Sequence, residues 1–377
     1  MVFMSGYSKN YSVVIAFDVI NDIIILLRLR DDVAQSYTDS VKAMDKILLI
    51  LTGGTICSAV NSDGKRAVDS ENAKYKIIDN FRKSGSPFSD VPFDTEMPID
   101  TLSENMTIEK WNILLNELRG VDADEYKGII ILHGTDTLAY TACLLSLVMS
   151  EKHLPVCLVS SHSPVDDEGT NANINFRAAV ELIMNGIKPN VYAVYQNSDN
   201  KIYVHYGAHL IQCASFSNDF YSADAMLAEN APAKAEEFET QSVLPQKIDA
   251  KVLMLTPYVG IDYGCISVEN YDAVLHTTYH SETVCTLGDK TGGSVLYLAE
   301  MCRKSGTDLF LAPCNPETYA YETTGTALSG GIYPVADMTA EMAYIKLLLG
   351  ISSGKHGNEL AEFMAKSINH EKICHKS

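Results

Sequence analysis

Basic residues are scarce in this chain. Its 29 lysines and arginines face 48 aspartates and glutamates, a formal net charge of −19, and so acidic a surface repels phosphate backbones and anionic lipid. Neither nucleic acid nor a membrane is expected as a partner. Paired cysteine spacing is also lacking. The nine cysteines are an odd number scattered from Cys57 to Cys374, with no two at C-x-x-C spacing. They mark neither a disulfide framework nor a zinc site, and reduced thiols in a cytoplasm are the expectation. No stretch supplies the roughly 20 largely apolar residues of a membrane span. Val13 to Leu29 comes nearest, but Asp18, Asn21 and Asp22 interrupt it, and no basic region or small-residue cleavage site frames it as a signal peptide. The phosphate-binding fingerprints G-x-x-x-x-G-K-[ST] and G-x-G-x-x-G are missing around Gly53. No cofactor and no metal are expected.

What is present is a large apolar complement, 46% of 377 residues, enough for two domains. Residues 1–43 lie outside the regular pattern and read as an extension, with Met44 as an alternative translation start. From Asp45 onward, apolar runs at Lys46 to Leu51, Gly128 to Leu132 and Pro155 to Ser160 alternate with amphipathic stretches such as "TIEKWNILLNELRG" and "TLAYTACLLSLVMS". Continuous apolar strands separated by helices predict βαβ units and a parallel sheet covered on both faces. The acidic stretch Ala223 to Ala250 reads as a connection, and "KVLMLTP", "YDAVLHTTYH" and "TDLFLAPC" beyond it as strands of a smaller unit. The fold class expected is α/β. Residues 44–225 form a larger domain with a mostly parallel sheet, 226–250 a linker, and 251–377 a smaller, flavodoxin-like α/β domain.

The three strands of the larger unit end in "TGGT", "HGTDT" and "SSHSP". A parallel sheet binds ligands beyond the carboxyl ends of its strands, so three hydroxyl-rich exits converge on one rim. At the first, two glycines permit a sharp turn and a close ligand approach, and Thr55 offers a hydroxyl beside them. Thr55 alone reads equally as a turn residue, and Asp136 in the second exit equally as a helix cap. Two hydroxyl-plus-glycine turns on one rim favour a site.

"TGGTI" followed by "HGTDT" resembles the asparaginase/glutaminase amidohydrolase family, and in particular the bacterial cytoplasmic-type L-asparaginases. "LSENMT" (Leu102 to Thr107), "LVSSHSP" and "GIYPVADMTAEMAYIKLLL" extend the resemblance from Asp45 to about Leu349. It implies hydrolysis of an amino-acid amide, L-asparagine or, alternatively, glutamine, by a homodimer or homotetramer without metal or cofactor. Thr55 matches the nucleophile that forms the acyl-enzyme. Thr135 matches a second threonine that positions water and helps hold the oxyanion, and Asp136 the carboxylate that binds the substrate's α-ammonium. Ser103 and Glu104 match the residues that hold the α-carboxylate and α-ammonium, and Ser161 a position whose backbone carbonyl receives the leaving amide. A catalytically impaired amino-acid-binding member is the rival reading. The appended β-domain expected of archaeal tRNA-linked relatives is not apparent before Thr52.

The sequence departs from the family in two places. "CSAVNSDGKRAVD", after the nucleophile, carries Lys65 and Arg66 where the family places a tyrosine, and Tyr75 is the next downstream. The family's lysine beside the second threonine has no clear counterpart: Lys201 is several residues out of register, and His209 stands near the expected place, where a neutral imidazole can act as a base. The resemblance also implies residues lent by a partner's smaller domain, with Ser281 or Glu322 in that part. The terminal "HEKICHKS" resembles a metal tract, but with no other ligand nearby in sequence it reads as a frayed tail.

Overall fold

Five apolar residues in a row build each of the two central strands. β1 (Ile47–Leu51) and β5 (Gly128–Leu132) are buried at every position, as is the neighbouring β6 (Val156–Val159). The structure is a computed structural model and describes residues 45–60, 63, 65–236, 244–288, 292–315 and 321–373. The extension 1–43 and the start at Met44 lie outside the described residues.

The larger sheet has seven strands in the order β4-β1-β5-β6-β7-β8-β9. β4 (Phe93–Glu96), β1, β5, β6 and β7 (Val191–Gln196) run parallel. β8 (Ile202–Tyr206) and β9 (Met226–Leu227) add an antiparallel edge. A small antiparallel ribbon, β2 (Ser58–Val60) with β3 (Arg66–Val68), follows the first exit.

Strand alternation divides the core between two faces. Ile47, Leu49, Leu51, Ile130 and Leu132 pack with helices α1 (Ser70–Arg82) and α4 (Ala172–Met184). Leu48, Ile50, Ile129 and Ile131 face the opposite way, onto α2 (Ile108–Gly120) and α3 (Leu138–Val148). Covering both faces is what parallel strands require, and the result is the α/β architecture expected from the sequence.

The stretch read as a connection contributes β9 and the short helix α5 (Ala231–Lys234). Its far end is pinned to α2, where the Asn112 side chain bonds both the carbonyl and the N–H of Ile248 at 2.8 Å. Beyond it stands a four-stranded parallel sheet, β10 (Val252–Leu255), β11 (Ala273–Thr277), β12 (Asp308–Ala312) and β13 (Tyr333–Pro334). α6 (Val295–Ser305) and α7 (Glu322–Ser329) cover one face of it. α8 (Ala340–Ser352) covers the other and is buried almost all round, because it also packs against α3 of the larger domain. One continuous apolar cluster therefore spans both sheets.

Of the C-terminal tract read as frayed, residues 370–373 are packed into the fold, and 374–377 lie outside the described residues. After α9 (Gly357–Ala365), Glu371 is fully buried and its carboxylate accepts the N–H groups of Ile368 and Asn369 and the Lys346 ammonium at 2.6 Å. Lys346, on α8, is fully buried too and also donates to the carbonyls of Met364 and Lys366. Burial pulls the Lys346 pKa down against the pull of Glu371, while Lys346 and the backbone donors outweigh burial to hold Glu371 below the usual carboxylate range.

Removing one partner from such a pair leaves an uncompensated buried charge. We expect Lys346→Met to lower unfolding free energy by about 3–5 kcal/mol, read from chemical denaturation. An unchanged denaturation midpoint would show that the pair does not anchor the tail.

Candidate active site

The register of the three central strands brings their ends to one level: Leu51 stands opposite Leu132, and Leu132 opposite Val159. The ladder continues one bond further into the turns, through Thr52 N–H to Leu132 O at 3.1 Å and His133 N–H to Val159 O at 2.9 Å. Beyond that level the exits interlock.

Gly53 and Gly54 adopt φ of 94° and 80°. A Cβ on Gly53 would sit 2.2 Å from the Thr101 carbonyl oxygen, and one on Gly54 would sit 2.3 Å from the Gly134 Cα. A Cβ on Gly134 would in turn meet the Ser103 Oγ at 2.5 Å. The glycines are thus required twice, by conformation and by the approach of one backbone to another. Gly54 N–H bonds Thr101 O at 2.8 Å and Thr101 N–H bonds Thr52 O at 3.2 Å, which fixes the segment carrying Ser103 against the first exit.

Six residues singled out in the sequence stand at these exits or on the segment pinned to them. Thr55 is half-buried and opens a single 3-10 turn directly after the glycines. Ser103 is buried; its hydroxyl lies 3.2 Å from Asp136 Oδ2 and accepts the Asp136 N–H at 3.2 Å, and its carbonyl accepts the Thr137 hydroxyl at 3.0 Å. Thr135 is half-buried and Asp136 exposed, both in the 3-10 turn that leads into α3. Glu104 is exposed beside Ser103. Ser161, at the third exit, is buried, with its hydroxyl turned to the Ser163 carbonyl at 2.5 Å.

The remaining candidates stand elsewhere. Lys201 is exposed and paired with Asp199 in the β7–β8 turn. His209 is buried, held by Asp224 Oδ2 at 2.7 Å and by the His370 carbonyl at 2.7 Å. Tyr75 projects from α1 with 66% of its surface exposed. Ser281 is exposed in the loop after β11, and Glu322 is exposed at the start of α7. Cys57, two residues after Thr55, is buried, and burial pushes its thiol up to about 12, so it stays protonated and is no thiolate nucleophile.

Two features escape a reading of the sequence. The first is Gln212, whose side-chain amide donates to the carbonyls of Asp136 at 2.5 Å and Thr135 at 3.4 Å, while its backbone N–H donates to Glu341 Oε1 on α8 at 3.1 Å. With Thr135, Asp136, His162 and residues 213–218 it lines a cleft of about 330 Å³. The signal for it was the polar residue in "AHLIQCAS", three beyond His209.

The second is a buried chain beneath the rim. Trp111 Nε1 donates to the Thr141 hydroxyl at 3.0 Å, that hydroxyl lies 2.9 Å from His133 Nε2, and His133 Nδ1 lies 2.7 Å from the Gly134 carbonyl. The Gly134 carbonyl fixes a hydrogen on Nδ1, and burial, which pushes the His133 pKa down to about 4, leaves Nε2 to accept the Thr141 hydroxyl. His276 repeats the pattern at the end of β11, between the Tyr263 hydroxyl at 2.6 Å and the Thr277 carbonyl at 2.6 Å.

The second and third exits line an open cleft through Thr135, Asp136 and His162, and a cleft at the carboxyl edge of an α/β sheet is where such folds bind small molecules. The chain belongs to the asparaginase family: the family model for the asparaginase N-terminal domain matches residues 46–237. It is 25% identical to an L-asparaginase of Thermococcus kodakarensis over 338 residues, covering 86% of this chain and 98% of the relative. It is also 25% identical to a glutamyl-tRNA(Gln) amidotransferase component of Saccharolobus islandicus, covering 97% of this chain and 85% of that one. Among solved structures, the thermostable T. kodakarensis L-asparaginase superposes with a TM-score of 0.70 at 22% identity, covering 87% of this chain and 99% of its own. L-asparaginase I of Vibrio cholerae superposes with a TM-score of 0.64 at 22% identity, over 88% of this chain and 100% of its own.

Two measurements follow from this geometry. Gly54→Ala should cost about 2–5 kcal/mol of stability, from backbone collision and left-handed strain together. Gly85→Ala, at φ 73° with open space around it, should cost about 1 kcal/mol in the same denaturation assay; equal costs would refute the interlock. The second concerns pH. His133, His205 and His276 all have folded-state pKa values pushed down to about 4 by burial, against about 6.5 in an unfolded chain. The unfolded state therefore binds more protons between those values. Stability is complete above about pH 6.5 and falls as pH drops towards 4, by on the order of 2 kcal/mol per histidine at pH 5. His133→Gln should flatten that slope relative to the wild type.

Proposed function

We propose that the protein hydrolyses the side-chain amide of L-asparagine to L-aspartate and ammonia. The observation that carries this reading is the interlock of Gly54, Gly134 and Ser103, which sets the Thr55 turn against the Thr135–Asp136 turn. Thr55 Oγ attacks the amide carbon, the carbon–nitrogen bond breaks, and the nitrogen leaves as ammonia with the proton the hydroxyl gave up. Water then cleaves the threonine ester and restores the hydroxyl. Asp136, Ser103 and Glu104 hold the charged amino-acid end, so that the amide is delivered within reach of the nucleophile. Thr135 positions the water and steadies the oxyanion, and the backbone at Ser161 receives the leaving amide.

The assembly we propose is a homodimer or homotetramer in the cytoplasm, with Ser281 or Glu322 of one copy approaching the site of another. Exposed apolar side chains in the loops beyond the smaller sheet's strands, Val259 at 97% and Leu287 at 83% among them, support such a contact. Eight described cysteines without disulfides suit a reducing compartment.

Gln212 favours a second reading. A neutral amide beside Thr135 takes up no proton at physiological pH, which suits an amino-acid-binding relative with slow turnover. Ammonia release from L-asparagine and L-glutamine decides between them. We expect release from asparagine, reduced about a thousandfold or more in Thr55→Ala. Release from glutamine in its place would move the substrate to the longer amide. Absence of release from both, with L-aspartate binding by calorimetry, would replace hydrolysis by binding, and full activity of Thr55→Ala would remove the nucleophile assignment.

A further inference from the structure

His209, Asp224 and His370 come from the turn after β8, the turn before β9 and the C-terminal segment. One donor atom of each nevertheless lies within 4.8 Å of the other two. His209 is fixed at both ring nitrogens, with Nε2 2.7 Å from the His370 carbonyl and Nδ1 2.7 Å from Asp224 Oδ2. A carbonyl only accepts, so Nε2 carries a hydrogen, and the neutral ring then presents its Nδ1 lone pair to a carboxylate oxygen. Two acceptors so close require a cation between them, either a proton or a metal ion. An imidazole anchored through one N–H to a backbone carbonyl, with its other nitrogen presented to a ligand, is the arrangement that orients metal-binding histidines.

A second, independent observation lies in the same place. Asp224 Oδ1 is buried without a hydrogen-bond partner, and so is Nε2 of the fully buried His205, close enough to feel the Asp224 charge. A buried anionic oxygen without a donor is costly, and coordination of a cation satisfies it.

We propose that His209, Asp224 and His370 form a binding site for a divalent transition-metal ion of the zinc type, with a fourth position open to water. Two imidazoles and one carboxylate suit zinc, cobalt(II) or nickel(II) and not magnesium or calcium, which take oxygen ligands. Donors arranged tetrahedrally around zinc stand about 3.3 Å apart. Binding therefore opens the His209–Asp224 contact by roughly half an ångström and draws the most distant donor in by at most about 1.5 Å. His370 of the "HEKICHKS" tract, set aside in the sequence for want of neighbouring ligands, has two beside it in the fold.

The site has a structural consequence. His209 and Asp224 bracket residues 210–223, a loop whose ends are already drawn together by the pairing of Ile211 with Tyr221. That loop carries Gln212 and the 213–218 wall of the cleft. A bound ion would clamp it to the C-terminal segment.

The test uses the full chain stripped of metal by chelation and titrated with cobalt(II), followed by visible absorption, and with zinc(II), followed by calorimetry. One equivalent should bind, with the d–d bands of a four-coordinate ion that zinc then abolishes, and magnesium should not compete. Asp224→Asn and His370→Ala, each checked for fold by circular dichroism, should weaken binding tenfold or more and abolish the zinc-induced rise in unfolding temperature. The double variant Cys265→Ser, Cys285→Ser, which removes the two exposed described cysteines, should bind as the wild type does. No saturable cobalt binding by the wild type overturns the proposal. So does binding that survives both ligand substitutions or is lost with the two cysteines.

Discussion

The approach of Gly54 to Gly134 is the contact on which the site depends. With a Cβ on Gly54 only 2.3 Å from the next backbone, the two turns meet main chain to main chain. Side-chain packing alone tolerates rotamer changes and small shifts; backbone contact between register-locked strands does not. The register itself rests on five-residue apolar runs buried on both faces, so a one-residue slip would turn every side chain to the wrong layer. The hydrophobic core therefore sets where Thr55 and Asp136 stand, although neither belongs to it. Ser103 completes the interlock from a third segment, giving Asp136 both a hydroxyl and a fixed backbone.

Beneath this rim the protein solves one problem twice. A strand that ends inside the fold leaves its last carbonyls without ladder partners. At β5 and at β11 a histidine placed there bonds the next residue's carbonyl through Nδ1–H and accepts a hydroxyl at Nε2. Burial keeps both rings neutral, so each tautomer is set by its partners. In the larger sheet the carbonyl so bonded belongs to Gly134, and the histidine steadies the residue against which Gly54 rests.

Much of this was legible in the residues. Lys46 to Leu51 and Gly128 to Leu132 announce buried strands because nothing else packs five apolar residues in a row so close to turn residues. The paired exits announce the rim because glycine beside threonine is uncommon inside a parallel sheet. The edges were harder to read. β4 has the sequence FDTE and alternates between half-buried and exposed, so it carries no apolar run. β8 and β9 lie within polar stretches whose pairing depends on a turn and a long loop. The C-terminal segment escaped for another reason. Glu371 and Lys346 are separated by 25 residues, and a lysine in "YIKLLL" reads as a helix position that reaches solvent. Only the return of α9 and the C-terminal segment over α8 buries it.

Gln212 shows how the two domains act on one site. Its backbone N–H is held by Glu341 in the first turn of α8, and its amide is held by the carbonyls of Thr135 and Asp136. A displacement of α8 against α3 must therefore move either Gln212 or the turn it touches. The amide donates into carbonyls, which positions the Thr135–Asp136 backbone but offers no proton transfer, since a carboxamide stays neutral across physiological pH. Its Oε1 is buried without a hydrogen-bond partner, a costly arrangement that a donor brought by a ligand would relieve. In the hydrolysis proposed above, proton transfer at Thr55 falls to groups other than Gln212, while the smaller domain's grip on Gln212 sets the backbone geometry of the Thr135–Asp136 turn beside it.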